Sequence, residues 1–139
     1  MLKRNKKEND IHEGLTISVG GKFEIGESPE DCVIREVKEE TNLDIIKPKL
    51  RGIITFPNFD GNKDWSTYVF TAKDYTGNLT KDCNEGDLVW VKKNEIQNIK
   101  TWEGDYIFLD WLVQDKPFFS AKFNYKDNKF IDYEVTFYD

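Results

Sequence analysis

The sequence predicts an α/β (α+β) fold in which a mixed β-sheet is flanked by helices, and three observations point there. Segments rich in β-branched and aromatic residues recur between turn signals, and two segments of helical periodicity interrupt them. The chain has 139 residues, of which 38% are hydrophobic and 14% aromatic. That is enough for one substantial core, so residues 1–139 are expected to form a single domain.

Along the chain, Leu15, Ile17 and Val19 alternate with Thr16 and Ser18 in a strand-like period of two, ending at Gly20-Gly21. Gly26-Glu27-Ser28-Pro29 then opens a helix: Ser28 can cap it, Pro29 suits its first turn, and Glu30 and Asp31 favour its positive end. The helix is expected to run to about Thr41, with Asn42 in the left-handed position beyond it. Residues 49–56 and 66–73 read as strands able to pair across the turn-forming residues 57–62. Thr76-Gly77-Asn78 marks another turn, residues 88–91 a short strand, and Asn94 a cap for a brief helix ending near Ile99. A second helix is expected over 105–113, where Ile107, Phe108, Trp111 and Leu112 recur at helical spacing. The tail, 118–138, reads as two strands joined around Lys126-Asp127-Asn128, and no internal repeat or linker interrupts the chain.

Composition removes several classes of function. A net charge of −6 opposes binding to a nucleic-acid duplex, which usually needs a basic surface. No apolar run is long enough for a membrane span, and the basic start MLKRNKKEND is followed by no hydrophobic segment, so a cytoplasmic protein is expected. Cys32 and Cys83 are widely separated and read as reduced thiols. His12 is the only histidine, which gives little support to a histidine zinc site or a Ser-His-Asp triad. Carboxylates must carry the chemistry.

The first helix supplies them. At about 100° per residue, Glu36, Glu39 and Glu40 fall within an arc of roughly 100°, while Val33, Ile34, Val37 and Thr41 occupy the neighbouring arc. One face packs and the next is a carboxylate cluster. Like charges at these spacings cost a helix about 0.2–0.5 kcal/mol per pair, so the cluster calls for full solvation or a bound cation. Hard oxygen ligands suit magnesium.

Residues 21–43, GKFEIGESPEDCVIREVKEETNL, resemble the signature box of the Nudix hydrolases: glycine, five residues, glutamate, seven residues, then Arg-Glu-hydrophobic-x-Glu-Glu-x-Gly-hydrophobic. Only the last glycine departs, becoming Asn42. The resemblance implies an α/β/α sandwich with a mixed β-sheet between helices, and a loop-helix-loop that binds a divalent metal and cleaves nucleoside diphosphates linked to another group. Carried over by position, Glu36, Glu39 and Glu40 match the metal-binding carboxylates and catalytic residues, with the base left open among them. The Gly21 carbonyl matches a backbone ligand. Glu27 and Arg35 match a supporting pair, and a planar guanidinium suits orienting carboxylates. Mg2+ is the implied cofactor, with Mn2+ as an alternative.

A narrower resemblance, to MutT-type 8-oxo-purine nucleoside triphosphatases, covers most of the chain. Asn84-Glu85-Gly86, with Trp90 after it, matches a loop that adds an acid to the metal site, making Glu85 a further ligand; by composition alone it reads equally as a solvated loop residue. Thr101-Trp102-Glu103-Gly104-Asp105-Tyr106 and the tail PFFSAKFNY are similar to the C-terminal half of the animal members. There a tryptophan stacks on the purine and acids read the base edge, roles that fall on Trp102 and Asp105. Without the resemblance, Trp102 reads as a core plug and Asp105 as a helix N-terminal acid. Thr16 and Ile17 stand where the animal enzymes carry Trp-Asn. The chain also begins too late to include the family's first strand; residues 1–4 resemble its end, with Lys3 and Arg4 near the phosphate path or simply a frayed charged terminus. Arg4 and Lys22 are the candidate basic contacts to substrate. A sheet edge left by the missing strand would need another partner, so either instability or pairing with a second chain as a homodimer is expected. The implied substrate is a small nucleotide, 8-oxo-dGTP or a related oxidised purine triphosphate, cleaved to the monophosphate and pyrophosphate. A nucleotide sugar such as ADP-ribose, or binding without catalysis, are the alternatives.

Overall fold

Residues Leu2–Arg4, anticipated as a charged terminus, form the middle strand of a three-stranded antiparallel sheet. The computed structural model describes residues 1–139. In chain order its elements are β1 (Leu2–Arg4), β2 (Thr16–Ile17), α1 (Pro29–Thr41), β3 (Asp44–Ile46), β4 (Lys49–Asp60), β5 (Lys63–Thr71), β6 (Asp74–Thr76), β7 (Gly86–Leu88), a 3-10 helix (Lys93–Asn98), α2 (Glu103–Val113), β8 (Phe118–Lys126) and β9 (Lys129–Tyr138). This mixed α+β architecture, with mixed sheet and few helices, is the one the sequence predicts. No helix is long and apolar enough to cross a membrane.

The chain divides into two units, Met1–Pro48 with Ala72–Thr101, and Lys49–Thr71 with Trp102–Asp139. In the first, β1 pairs with β2 (Leu2 opposite Ile17) and with β7 (Lys3 opposite Asp87, Arg4 opposite Gly86). Leu2 is only 1% exposed, so one apolar residue anchors this strand while its neighbours stay polar. The frayed terminus is therefore corrected: β1 is paired on both sides, with β2 and with β7. α1 begins and ends as its sequence demands. Ser28 Oγ accepts from the Asp31 amide at 3.0 Å while the Ser28 amide donates to Asp31 Oδ2 at 3.1 Å, a reciprocal cap of about 1 kcal/mol. Asn42 takes φ 68°, and its amide donates to the Lys38 carbonyl at 2.9 Å, closing the last turn. Cys32, Val37 and Thr41 are the buried face.

The second unit is a four-stranded mixed sheet ordered β5-β4-β8-β9, with β4 and β8 parallel. Asp127 and Asn128, at φ 52° and 64°, make the two-residue turn between β8 and β9 that matches strand twist. Phe119, Ala121, Phe123 and Tyr125 alternate along one buried face of β8. From α2, Trp111 meets this face edge-on, its ring centroid 5.0 Å from Phe119 and 5.3 Å from Phe137.

Several boundaries move. The turn expected over 57–62 narrows to Gly61-Asn62, because β4 runs on to Asp60 with a register shift after Phe56. The strand expected over 15–19 is only Thr16–Ile17, and that expected over 88–91 is Gly86–Leu88; β1 is three residues long and limits what can pair with it. β3 and β6, which pair with each other, were not expected. The brief helix is a 3-10 segment whose cap position is Lys92, not Asn94, with no side-chain cap bond. α2 starts at Glu103 rather than Asp105.

Candidate active site

The approach to α1 is shaped by close contact. A Cβ built on Gly21 would overlap the Glu36 carboxylate, so a larger residue there would displace that side chain from its place against the loop. Arg35 then ties loop to helix. Its Nε donates to Glu27 Oε2 at 2.7 Å and its Nη2 to Glu27 Oε1 at 2.9 Å, a two-pronged pair. Nη2 also reaches the Lys22 carbonyl at 3.0 Å, and Nη1 reaches Glu36 Oε1 at 2.8 Å and Glu39 Oε2 at 3.2 Å. Hydrogen bonds from Arg35 and from the Glu24 amide hold the Glu27 carboxyl below the usual carboxylate range, and the bonds to Glu27 and then to Glu36 raise the guanidinium's own proton affinity.

Glu40, one turn further on, is placed differently. Its Oε2 is buried with no hydrogen-bond partner, and burial, then the nearby charges of Glu85 and Glu36, push its pKa up to about 7. A hydrogen bond with the Gly20 backbone and the charge of Arg4 pull the other way. Arg4 Nη1 stands 3.5 Å from Glu85 Oε2, while its Nε makes a 2.6 Å ion pair with Asp10.

Of the residues singled out in the sequence, Glu27, Glu36 and Glu39 therefore meet around the Arg35 guanidinium, with Gly21 against the Glu36 carboxylate, and Glu40, Glu85 and Arg4 form a charged group that also senses Glu36. Lys22 enters only through its carbonyl. The Gly21 carbonyl lies 3.8 Å from the Cys32 thiol. As the side chains stand, no three acidic, cysteine or histidine groups are drawn together tightly enough to hold an ion. Arg35 pairs with Glu36 and with Glu39, whose side chain is 57% exposed. The chemistry of the set nevertheless fits a hard cation: all donors are oxygens, and the partnerless buried Oε2 of Glu40 is an atom whose desolvation a cation would offset.

Trp102 and Asp105 belong to the second unit. Trp102 precedes α2 without a side-chain cap, its ring 5.0 Å from Phe59 and 5.6 Å from Tyr125, both edge-on. Phe59 in turn lies 4.8 Å from Trp65. Asp105 sits in the first turn of α2, its amide bonded to the Trp102 carbonyl at 3.0 Å. Tyr125 accepts from the Gly104 amide at 2.7 Å, which fixes the start of α2; burial raises its phenol pKa.

Reading the sequence missed Asp10, Phe59 and Tyr125. Nothing local marks Asp10. Phe59 was hidden among turn-forming neighbours, whereas the alternation of Phe119, Ala121, Phe123 and Tyr125 could have flagged Tyr125.

Comparison with known proteins shows the family and the fold. The family model described as the NUDIX domain matches residues 1–112. A Bacillus subtilis protein described as uncharacterized Nudix hydrolase YvcI is 39% identical over 115 residues, 81% of this chain and 73% of its own. An ADP-ribose pyrophosphatase from Methanocaldococcus jannaschii is 26% identical over 107 residues, 77% of this chain and 63% of its own. Among solved structures, the MutT protein of Bacillus halodurans superposes with a TM-score of 0.80 at 31% identity, covering 86% of this chain and 80% of that one. A MutT structure from work on Aliivibrio salmonicida and Vibrio cholerae, at 22% identity, has a TM-score of 0.61 over 79% of this chain and 82% of its own, and shares the fold.

Proposed function

The chain belongs to the Nudix hydrolase family, and from that premise we propose that it is a Mg2+-dependent nucleoside triphosphate pyrophosphohydrolase. Its substrate is 8-oxo-dGTP or a related oxidised purine nucleotide, cleaved to the monophosphate and pyrophosphate in the cytoplasm. The observation that carries this reading is the buried, partnerless Oε2 of Glu40 in the field of Glu36 and Glu85. Such an atom is costly in an idle surface helix and useful in a cation site.

Glu36, Glu39, Glu40 and Glu85, with the Gly21 carbonyl, are the residues we assign to hold the metal; manganese would suit the same donors. When bound, the metal neutralises phosphate oxygens and acidifies a water molecule. The chain's own part is to prepare the reactants. Arg35, fixed by Glu27, orients Glu36 and Glu39. One of the three box glutamates accepts the proton of the attacking water as its oxygen bonds to phosphorus and the bond to the departing phosphate oxygen breaks. Glu40 has a raised proton affinity that favours this task. Arg4 supplies positive charge for the phosphate chain, and the Lys22 ammonium, whose backbone carbonyl Arg35 holds, is assigned the same role. The Trp102 ring, with Phe59 and Tyr125 against it, offers an apolar face to a purine, and Asp105 an acceptor to its N–H groups. The likeness to the MutT protein of Bacillus halodurans is in keeping with the MutT-type resemblance from which the triphosphate is proposed.

A second reading, hydrolysis of ADP-ribose or another nucleotide sugar, is favoured by the M. jannaschii relative. Incubation with magnesium and 8-oxo-dGTP, dGTP or ADP-ribose, followed by identification of the products, separates the two. We expect 8-oxo-dGMP and pyrophosphate. AMP and ribose phosphate from ADP-ribose alone would establish the second reading, and folded protein that turns over none of the three would leave a nucleotide-binding module.

A further inference from the structure

We infer that Asp10 is a positioning residue: it holds Arg4 by Nε so that the outer N–H groups of the guanidinium stand beside Glu85 as a contact for the phosphate chain. The inference rests on reading the acidic site as a nucleotide hydrolase, and it adds a residue outside the signature box.

The arm is built from both ends. Arg4 lies on the middle strand, its amide donating to the Leu15 carbonyl and its carbonyl accepting from the Gly14 amide, each at 2.8 Å. Opposite it is Gly86, where an added Cβ would overlap the Lys3 carbonyl; glycine lets β1 approach the residue that follows Glu85. The next turn of chain is stitched to the same segment, with the Lys6 amide 3.4 Å from the Glu85 carbonyl and Lys6 Nζ 3.2 Å from the Cys83 carbonyl. Arg4 and Glu85 are thereby brought together by backbone rather than by side-chain choice.

Asp10 settles which way the guanidinium faces. Its side chain is 5% exposed and that of Arg4 11%. Oδ2 takes the Arg4 Nε proton at 2.6 Å, and Oδ1 accepts from the His12 amide at 3.2 Å, so both oxygens are committed. A buried pair of this kind contributes little net stability compared with an apolar pair of similar volume, and its value lies in geometry. Arg35 provides the contrast. Its terminal nitrogens are spent on Glu27, Glu36, Glu39 and the Lys22 carbonyl, whereas Arg4 is gripped at Nε and makes only a long 3.5 Å approach to Glu85 through Nη1. A guanidinium held at Nε with its outer donors lightly engaged is ready for a phosphate, which matches its planar fork.

The test uses the full chain with Asp10→Ala, Asp10→Asn, Arg4→Gln and the Arg4→Gln/Asp10→Asn double variant, each confirmed folded by circular dichroism. Titration calorimetry with magnesium pyrophosphate should show binding weakened about tenfold in Asp10→Ala and Arg4→Gln, and less in Asp10→Asn, which keeps an acceptor for Nε. Steady-state assays should show KM rising by a similar factor with kcat nearly unchanged. In the double variant, Asp10→Asn should add nothing, because its effect passes through Arg4. Unchanged pyrophosphate affinity in folded Asp10→Ala, or an Asp10→Asn effect of equal size with and without Arg4, would overturn the inference. If Asp10→Ala does not fold, Asp10→Asn and the double variant decide. Nucleotide hydrolysis that survives Arg4→Gln and Asp10→Asn with normal KM sinks the positioning role alone. Pyrophosphate binding that depends on Arg4 and Asp10 in a protein without hydrolase activity removes the enzyme reading and supports the arm.

Discussion

Around Arg35 the neighbours are polar: two oxygens from Glu27, one each from Glu24, Glu36 and Glu39, the Lys22 carbonyl, and the Cys32 sulfur at 3.8 Å. Around Trp111 they are rings, from Phe119, Phe123, Tyr133 and Phe137. The first arrangement spends burial and repulsion on a charged group that an apolar core would not tolerate, while the second gains from removing aromatic area from water. Stability and reactivity are thus expected to separate, with substitutions in the acidic group changing rate at little cost to folding and substitutions in the aromatic core doing the reverse.

The largest effect should come from Glu36→Gln or Glu40→Gln, which we expect to lower kcat by about a hundredfold or more in a chain that still folds, since a cation site loses charge and the packed helix face is untouched. Near-normal turnover in both would mean that the metal is held elsewhere. Phe123→Ala, at a side chain with 0% exposure, should destabilise the fold by about 3–5 kcal/mol in a urea titration while leaving KM of the remaining folded enzyme unaltered. A stability change below about 1 kcal/mol would show that the rings are not the source of that unit's stability. Arg35→Lys cannot reproduce the two-pronged grip on Glu27 and should reduce kcat by about tenfold, a smaller loss than removing a carboxylate. Trp102→Ala should weaken nucleotide binding by about tenfold, measured by calorimetry with a non-hydrolysable analogue. Unaltered affinity there would make Trp102 a packing residue like Trp111.

The smallest effect is on pH dependence. Glu40 binds its proton more tightly folded, with a pKa of about 7, than the ordinary glutamate value of 4.5. Between those values the folded chain holds the extra proton, so this group's contribution to stability falls as pH rises from about 4.5 to about 7 and then levels. Metal-free melting curves should show that decline, and Glu40→Gln should flatten it. A decline of equal size in the variant would assign it to other groups.

The acidic helix was legible because its determinants are local: Ser28, Pro29 and Asn42 bracket it, and the glutamates share a face at fixed spacing. Its partners were less so. That Arg35 would bridge to Glu27 across a loop followed from the family resemblance and not from periodicity. Asp10 carries no local signal, since its meaning depends on a strand three residues long that pairs with residues more than eighty positions away. Phe59 was hidden by the turn-forming company of Pro57, Asn58 and Gly61, and only the register shift in β4 shows that it is buried. Long-range pairing overrode local propensity in each case.

The position of β1 between two partners has a consequence for hydrogen–deuterium exchange. Leading residues of a chain usually take up deuterium first, because nothing protects their amides. Leu2 is buried between Ile17 and Leu88 and Arg4 is bonded to Leu15, so the amides at the front of this molecule should exchange with its slowest class rather than its fastest.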